Sequence, residues 1–274
     1  MSKGNFLEEI LARRRKQVVQ DRAICDPRVL QREAEHTREA RSPHRLRRAL
    51  QQNSGINIIG EFKRASPSLG FIRRDAQVSE IIALYEKAGV CAVSILTEPE
   101  FFHGSLEDLR QARSVTELPI LRKDFIIDEY QIYEAAAADA DAILLIVAAL
   151  TDSHLLSLRA LAEDELELDT LMEVHTAEEM QRASDSGAKL IGVNNRDLRT
   201  FESALEISVE LAALAPADAT LVSESGISSR ADIERLSRCG YRGFLIGESL
   251  MRAEDPAALV RSLRRTEIVE QRHA

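Results

Sequence analysis

Eight short apolar runs follow one another along this chain, and each is followed by a segment with helical periodicity. The runs start about 27 residues apart on average, which is the length of one strand and one crossover helix. The run at 143–147, Ile-Leu-Leu-Ile-Val, is apolar throughout, as strands are when both of their faces are covered. The predicted strands are 56–61, 91–96, 118–122, 142–147, 170–174, 190–194, 220–223 and 243–246.

The number of runs decides between the two common folds with parallel sheets. Eight βα units can close into a (β/α)8 TIM barrel, whereas a doubly wound open sheet usually has fewer strands and an early Gly-x-Gly-x-x-Gly turn. No such turn follows any of the eight runs. A chain of 274 residues fits one barrel with a short extension and is too short for two barrels in tandem. We therefore predict a single (β/α)8 TIM barrel.

The segment before the first predicted strand is helical and basic. Apolar residues recur at helical spacing over 4–22, and a second helical stretch covers 43–52. We expect residues 1–54 to form an N-terminal helical extension that caps the barrel, and residues 55–274 to form the barrel itself. The first 50 residues carry a charge of +6, against −9 for the whole chain. This excess fits either a solvated helix face or a surface that attracts an anionic substrate.

Composition excludes several classes of partner. The acidic body, the absence of Trp and the lack of aromatic residues among the basic ones argue against nucleic-acid binding. Cys25, Cys91 and Cys239 are too far apart, and odd in number, for a disulfide framework or a metal site. No apolar leader opens the sequence, and no apolar run approaches the roughly 18 residues that span a bilayer. We expect a cytoplasmic monomer without a membrane partner.

Five charged side chains stand at the ends of odd-numbered apolar runs. In a barrel the active site forms where the strands end, and alternate strands contribute to one layer of side chains. A single lysine or glutamate at a strand end is more simply half of an ion pair. Five of them around one mouth would be costly to bury unless the chemistry required them. We predict that they converge as an acid–base site: Glu61, Lys63, Lys123, Glu173 and Glu224.

The last two predicted strands lead into turns that contain glycine. Ser225-Gly226 precedes a helix, and Gly247-Glu248-Ser249 begins a short extra helix. Such a pair of turns is typical of the barrel phosphate site, in which glycines allow close backbone approach and helix N-termini bind the anion. If the glycines served only as turn residues, their coincidence in adjacent loops would have no explanation.

Other polar residues near the strand ends are less informative. The loop 63–70 supplies cations and hydroxyls that could hold a carboxylate. His103 and His175 have no partner at nucleophile–base or metal-ligand spacing, and we interpret both as structural. The residues alone thus predict an enzyme for an anionic, phosphorylated small molecule that uses lysine and carboxylate chemistry, with no metal and no redox cofactor.

Six longer segments occur in a specific order along the chain. They are Glu-Phe-Lys-Arg-Ala-Ser-Pro-Ser at 61–68, Leu-Arg-Lys-Asp-Phe at 121–125, Glu-Val-His at 173–175, Gly-Val-Asn-Asn-Arg-Asp-Leu at 192–198, Ser-Glu-Ser-Gly-Ile at 223–227 and Leu-Ile-Gly-Glu-Ser-Leu at 245–250. Together they closely resemble indole-3-glycerol phosphate synthases. The resemblance implies a phosphate-binding barrel that converts 1-(2-carboxyphenylamino)-1-deoxyribulose 5-phosphate to indole-3-glycerol phosphate, carbon dioxide and water in tryptophan biosynthesis.

The resemblance also implies roles for the catalytic residues. Lys123 acts as a general acid that protonates the ribulose carbonyl as the aromatic carbon attacks it. Glu173 acts with an acid partner in the final dehydration, and Lys63, paired with Glu61, assists. Which lysine donates in which step is left open. We expect neighbouring cations and partial burial to depress the pKa of the catalytic lysine, which would make it a better proton donor near neutral pH.

The same resemblance implies the residues that bind the substrate. Those for its carboxylate and sugar hydroxyls are Ser66, Asn194 and Arg196, with Glu224 holding polar groups of the sugar. Those for its phosphate are Ser225, Gly226, Gly247 and Ser249. Those for its anthranilate ring, a role that competes with plain core packing, are Phe102, Phe125, Leu198 and Ile246. The opening helix is expected to cover the mouth and to bring Phe6 or Leu7 to the ring.

Two other functions are compatible with a phosphate-binding barrel. A phosphoribosyl isomerase would commonly have an acid–base pair of Cys or Asp at its strand ends, which the sequence lacks. A catalytically silent barrel that binds phosphorylated metabolites would have lost a charged strand-end residue, and none is missing.

Overall fold

The computed structural model describes residues 6–53, 55–197 and 201–265. Eight parallel strands form a closed barrel in which each strand pairs with the next along the chain and the first pairs with the eighth. The strands are Ile58–Phe62, Ala92–Leu96, Ile120–Lys123, Ala142–Ile146, Asp169–Val174, Leu190–Asn194, Thr220–Glu224 and Gly243–Ile246. They match the eight predicted runs to within two residues at each end. The predicted (β/α)8 TIM barrel is confirmed.

Helices connect consecutive strands and cover the outside of the barrel. Several of them begin where a side chain after the preceding strand caps the first turn. Ser105, Thr151 and Thr176, for example, each accept the backbone N–H three residues further on. The connecting helices are α4 Val78–Ala88, α5 Leu106–Arg113, α6 Glu129–Ala137, α7 Asp152–Ala160, α8 Ala177–Asp185, α9 Glu206–Ala212 and α10 Arg230–Arg238. The eighth strand is followed by the predicted short helix, α11 Glu248–Arg252, and by α12 Pro256–Arg264.

Three helices precede the barrel: α1 Phe6–Ile24, α2 Pro27–Glu39 and α3 Arg45–Gln52. The sequence predicted α1 and α3, but it did not predict α2. The buried face of α2 consists only of Leu30, Ala34 and Arg38, a stripe too thin to stand out from the surrounding charges. Its start signal is nevertheless present, because Asp26 accepts the N–H of Arg28 and a proline occupies the first turn.

The first and third helices lie at opposite ends of the barrel. On α3, Leu46 and Leu50 are fully buried in the apolar cluster that fills the barrel interior. The backbone N–H of Arg47 bonds to Asp169, the first residue of the fifth strand, so α3 closes the end where the strands begin. On α1, Ile10 and Leu11 pack into the same cluster, and Phe6 lines the cavity at the end where the strands finish. No helix of the described residues is long and apolar enough to cross a membrane.

A buried aspartate joins α3 to the barrel wall. Asp141 immediately precedes the fourth strand, and its side chain is completely buried. It pairs with Arg45 at 2.8 Å, pairs with Arg113, and accepts the backbone N–H of Ile120 at 2.9 Å. The Asp141 carboxylate therefore balances cations that come from α3 and from the end of α5.

We predict that Asp141→Asn lowers the free energy of unfolding by about 3 to 5 kcal/mol, because it leaves a buried guanidinium without its counter-charge. Urea denaturation would measure the loss. The matched control is Asp218→Asn, which breaks the exposed pair with Lys189 and should leave the unfolding curve unchanged. Equal effects of the two substitutions would contradict a structural role for the buried cluster.

Candidate active site

One cavity lies at the end of the barrel where the strands finish. It is lined by residues from all eight strands, by residues from the loops after the first, second, third, sixth, seventh and eighth strands, and by Phe6 of α1. Fifteen of the sixteen residues singled out in the sequence line it: Glu61, Lys63, Ser66, Phe102, Lys123, Phe125, Glu173, Asn194, Arg196, Glu224, Ser225, Gly226, Ile246, Gly247 and Ser249. The sixteenth, Leu198, lies outside the described residues.

The centre of the cavity is a lysine held between two carboxylates. The Lys123 Nζ atom lies 2.8 Å from Glu173 Oε2 and 2.5 Å from Glu224 Oε2. Lys123 and Glu224 are the last residues of the third and seventh strands and Glu173 is the last but one of the fifth, so alternate strands bring them together, as predicted. Both carboxylates are almost completely buried. A second pair, Lys63 and Glu61, has its charged atoms 2.8 Å apart.

The electrostatic environment of Lys123 differs from the expected one. Burial favours the neutral amine and lowers the pKa, but the negative charges of Glu173, Glu224 and Glu61 outweigh burial and raise the pKa above its usual range. The expectation of a depressed pKa was wrong, because the groups nearest the ammonium are anions and not cations. Lys123 therefore carries its proton throughout the neutral range.

The two carboxylates beside Lys123 have opposite pKa shifts. Burial and the negative charge of Glu173 together raise the pKa of Glu224 to about 7, against the opposing charge of Lys123. Glu224 Oε1 has no hydrogen-bond partner among the described residues. Burial would also raise the pKa of Glu173, but Lys123, His175 and a hydrogen bond from Asn194 together lower it. Glu173 is thus an anion at neutral pH, whereas Glu224 titrates near neutral pH. Two carboxylates whose pKa values are shifted in opposite directions are able to act as a base and an acid.

Two glycines make room for these carboxylates. A Cβ atom at Gly192 would collide with Glu224 Oε1, and a Cβ atom at Gly247 would collide with Glu61 Oε1. The sequence had assigned Gly247 to phosphate binding alone. In the structure it also provides the space in which Glu61 reaches Lys63.

Polar side chains form one side of the cavity mouth. The Arg196 guanidinium lies 2.8 Å from Glu248 Oε2 and 3.2 Å from Ser68 Oγ. Ser66 is buried, with its hydroxyl 3.3 Å from that of Ser68. The Arg196 backbone N–H also donates to Asn194 Oδ1 at 3.0 Å. The loops after the first, sixth and eighth strands are therefore joined through Arg196.

Aromatic and aliphatic side chains form the opposite side. The rings of Phe102 and Phe125 are tilted to each other with centroids 6.3 Å apart, and Ile246 lies nearby in the cavity lining. Phe6 of α1 packs edge-on against Phe201 at 5.5 Å. Of the two candidates on α1, Phe6 lines the cavity and Leu7 is not part of the lining.

The loops after the last two strands form a third corner. Ser225 and Gly226 both have positive φ angles, 64° and 76°, so the chain turns sharply directly after Glu224. The short helix α11 begins at Glu248, next to this turn. Ser249 donates its hydroxyl to the carbonyl of Ile227 at 3.3 Å, which ties the two loops together.

Sequence reasoning missed several residues of the cavity lining. Phe201 lies in the loop after the sixth strand and Glu248 is the first residue of α11, and a position after a strand was the only available signal for either residue. Others are apolar residues within the strands, whose inward direction a continuously apolar run does not reveal. Pro67 and Ser68 belong to the loop 63–70 that was predicted as a possible carboxylate site, although neither was named as a site residue. The other missed residues are Leu96, Asp124, Leu144, Ile146, Phe201, Ile227, Leu245 and Glu248.

The fold and the cavity define a (β/α)8-barrel enzyme whose cavity holds a lysine between two carboxylates. The family model for indole-3-glycerol phosphate synthase matches residues 7–263. A relative from Koribacter versatilis with that name is 50% identical over 234 residues, which are 85% of this chain and 88% of the relative. Another of the same name, from Desulfosudis oleivorans, is 48% identical over 216 residues, 79% of this chain and 82% of the relative.

The chain belongs to the indole-3-glycerol phosphate synthase family and is a carboxy-lyase of tryptophan biosynthesis. Among solved structures, thiamine phosphate pyrophosphorylase from Pyrococcus furiosus superposes with a TM-score of 0.59 at 18% identity, and the match covers 80% of this chain and 96% of that one. At this identity the likeness concerns the barrel fold alone.

We predict that Gly192→Ala displaces the Glu224 carboxylate and breaks its hydrogen bond to Lys123, because the new methyl group takes the position of Oε1. A crystal structure of the variant would show the Nζ–Oε2 distance increased from 2.5 Å. The control is Gly55→Ala, whose Cβ atom would have its nearest neighbour at 3.5 Å and should leave the site unchanged. An unaltered Lys123–Glu224 distance in the first variant would contradict the assigned role of Gly192.

Proposed function

We propose that this protein closes the indole ring of 1-(2-carboxyphenylamino)-1-deoxyribulose 5-phosphate and forms indole-3-glycerol phosphate, carbon dioxide and water, with Lys123 as the general acid. The position of the Lys123 ammonium carries this proposal. It lies at the end of the barrel where strands finish, between two buried carboxylates, and it shares one cavity with an apolar wall and with the corner formed by Ser225 and Gly226.

In the first step, the ring carbon that bears the carboxylate attacks the ribulose carbonyl carbon. Lys123 donates its proton to the carbonyl oxygen, so that no free alkoxide forms. The bond from the ring to the carboxylate then breaks, its electrons restore the aromatic ring, and carbon dioxide leaves. Because Lys123 is fully protonated at neutral pH, the donor is always charged when substrate arrives.

The second step removes water from the new five-membered ring. Glu173 is ionised and takes a proton from the ring carbon next to the nitrogen. The hydroxyl on the adjacent carbon leaves as water after it receives a proton, for which Lys63, held by Glu61 at 2.8 Å, is the candidate donor. Glu224, with a pKa of about 7, is able to return a proton to Lys123 between turnovers and to bind sugar hydroxyls.

The remaining lining residues are proposed to hold the substrate. Phe102, Phe125 and Ile246 offer an apolar slot for the aromatic ring. Ser66, Asn194 and Arg196 would bind the substrate carboxylate or the sugar hydroxyls. Arg196 is already paired with Glu248, so an incoming anion would compete with that carboxylate for the guanidinium. The phosphate would bind at the turns after the last two strands: Ser225, Gly226, Gly247 and Ser249.

Three further properties belong to the proposal. Residues 1–54 would act as an extension of the barrel formed by 55–274, as supported by α1 and α3 packing at its two ends. The active protein would be a monomer, since one chain supplies every cavity residue named above. It would act in the cytoplasm, consistent with its three unpaired cysteines.

We predict that Lys123→Met lowers kcat by about 100-fold to 10,000-fold with a small change in KM, because it removes the proton donor and keeps the length of the side chain. Product fluorescence measures turnover. Lys189→Met, which removes an exposed lysine paired with Asp218, is the control and should behave as wild type. Near-normal turnover by Lys123→Met would exclude Lys123 as the acid, and wild-type protein that binds substrate without turnover would indicate a silent barrel.

We predict that Gly226→Ala raises KM by about tenfold or more, because its Cβ atom would lie 3.3 Å from Ser203 and shift the backbone that receives the phosphate. Gly240→Ala is a matched control: Gly240 also has a positive φ, 99°, but no neighbour lies within 4 Å of its Cβ position. Both variants therefore carry the same kind of backbone strain, and steady-state kinetics would compare them. An equal KM for the two would place the phosphate elsewhere.

A further inference from the structure

A half-buried histidine that the proposed mechanism does not use lies next to Glu173. His175 directly follows the fifth strand, and its side chain is 15% exposed. Its Nε2 atom lies 3.7 Å from Glu173 Oε1. In the part of the chain that the structure describes, this nitrogen has no hydrogen-bond partner. Lys123 contacts the other oxygen of the same carboxylate, so Glu173 lies between a lysine and an imidazole.

The opposite nitrogen of the ring is held by a second carboxylate. His175 Nδ1 lies 3.4 Å from Glu179 Oε2, in the first turn of α8. The same oxygen accepts the backbone N–H of His175 at 2.7 Å. Thr176 caps the helix by accepting the N–H of Glu179. The start of α8 therefore fixes Glu179, and Glu179 fixes the imidazole ring.

The charges around the ring favour its protonated form. Burial lowers the pKa of His175, but the hydrogen bond with Glu179 and the negative charges of Glu173 and Glu224 raise it by more, so the pKa lies above the usual value. Glu173 comes from the histidine's own strand, Glu179 from α8 and Glu224 from the seventh strand. Lys123, the cation paired with Glu173, contacts Oε2, whereas His175 faces Oε1 of the same carboxylate.

We propose that His175 is a positioning residue for Glu173: held by Glu179 as an imidazolium, it keeps the Glu173 carboxylate ionised and directed at Lys123. This inference rests on the proposed function, in which Glu173 must be an anion to take a proton during dehydration. Without the imidazolium, Glu173 loses one of the two cations that stabilise its negative charge. It then takes up a proton at a higher pH, at which the enzyme loses its base.

The test is the pH dependence of kcat. In His175→Gln, the pH at which kcat falls on the acid side should move upward by about one unit, the size expected for the loss of one nearby opposite charge. Glu179→Gln should move it in the same direction, because it keeps an acceptor for the His175 N–H but removes the charge that holds the imidazolium. The control is His36→Gln on α2, which replaces an exposed side chain that has no role in the site.

A lower kcat in both variants with the acid limb unmoved would overturn the proposal and leave His175 a purely structural residue. A second measurement is independent of turnover. The ¹⁵N resonances of His175 in the wild type should report an imidazolium at neutral pH, and Glu173→Gln should lower the pH at which the ring titrates. A neutral ring at pH 7 would also overturn the proposal. If the wild type titrates as expected but does not convert the substrate, the proposed function fails and the pairing of His175 with Glu173 stands.

Discussion

The salt bridges from Lys123 to Glu173 and Glu224 are the interaction on which the rest of the site depends. Burying these ions costs several kcal/mol each unless they compensate one another. The barrel brings the ions together at the strand ends: the third, fifth and seventh strands supply Lys123, Glu173 and Glu224, and Lys123 Nζ lies within 2.8 Å of an oxygen of each carboxylate. Gly192 then leaves the space that one of the carboxylates needs.

The apolar layer below Lys123, Glu173 and Glu224 strengthens the electrostatic interactions among these charges. The barrel interior is filled by apolar side chains such as Leu121, Leu171 and Leu190, and α3 closes the far end with Leu46 and Leu50. In the described part of the chain, these apolar side chains separate the charged layer from the far end of the barrel. In this environment neighbouring charges act strongly, which is why the carboxylates of Glu173 and Glu224 have different proton affinities although both face the same ammonium.

The sequence was sufficient for the barrel and for most of the site, for a physical reason. Strands covered on both faces must be apolar along their whole length, so they stand out, and charges at their ends must converge once the barrel closes. Which charged side chains form ion pairs with one another was not predictable from the sequence in the same way. The sequence identified Lys123 as part of a cluster, but only the folded structure shows that its nearest charged neighbours are Glu173 and Glu224, and these anions reverse the expected pKa shift. Phe201 reaches the cavity through a loop whose path no periodicity describes.

The basic N-terminal extension has a more specific role than either alternative that its charge suggested. Arg14 of α1 is buried and lies 3.0 Å from Asp124, which also pairs with Arg122 at 3.0 Å and accepts the Thr97 hydroxyl at 2.6 Å. Burial would raise the pKa of Asp124, but the two guanidinium groups hold it below its usual value. Asp124 is the residue after Lys123. One ionised carboxylate therefore anchors α1 to the barrel and fixes the backbone beside Lys123. The opening helix is thus part of the structure that holds the candidate active site, although Arg14 and Asp124 are about a hundred residues apart in sequence.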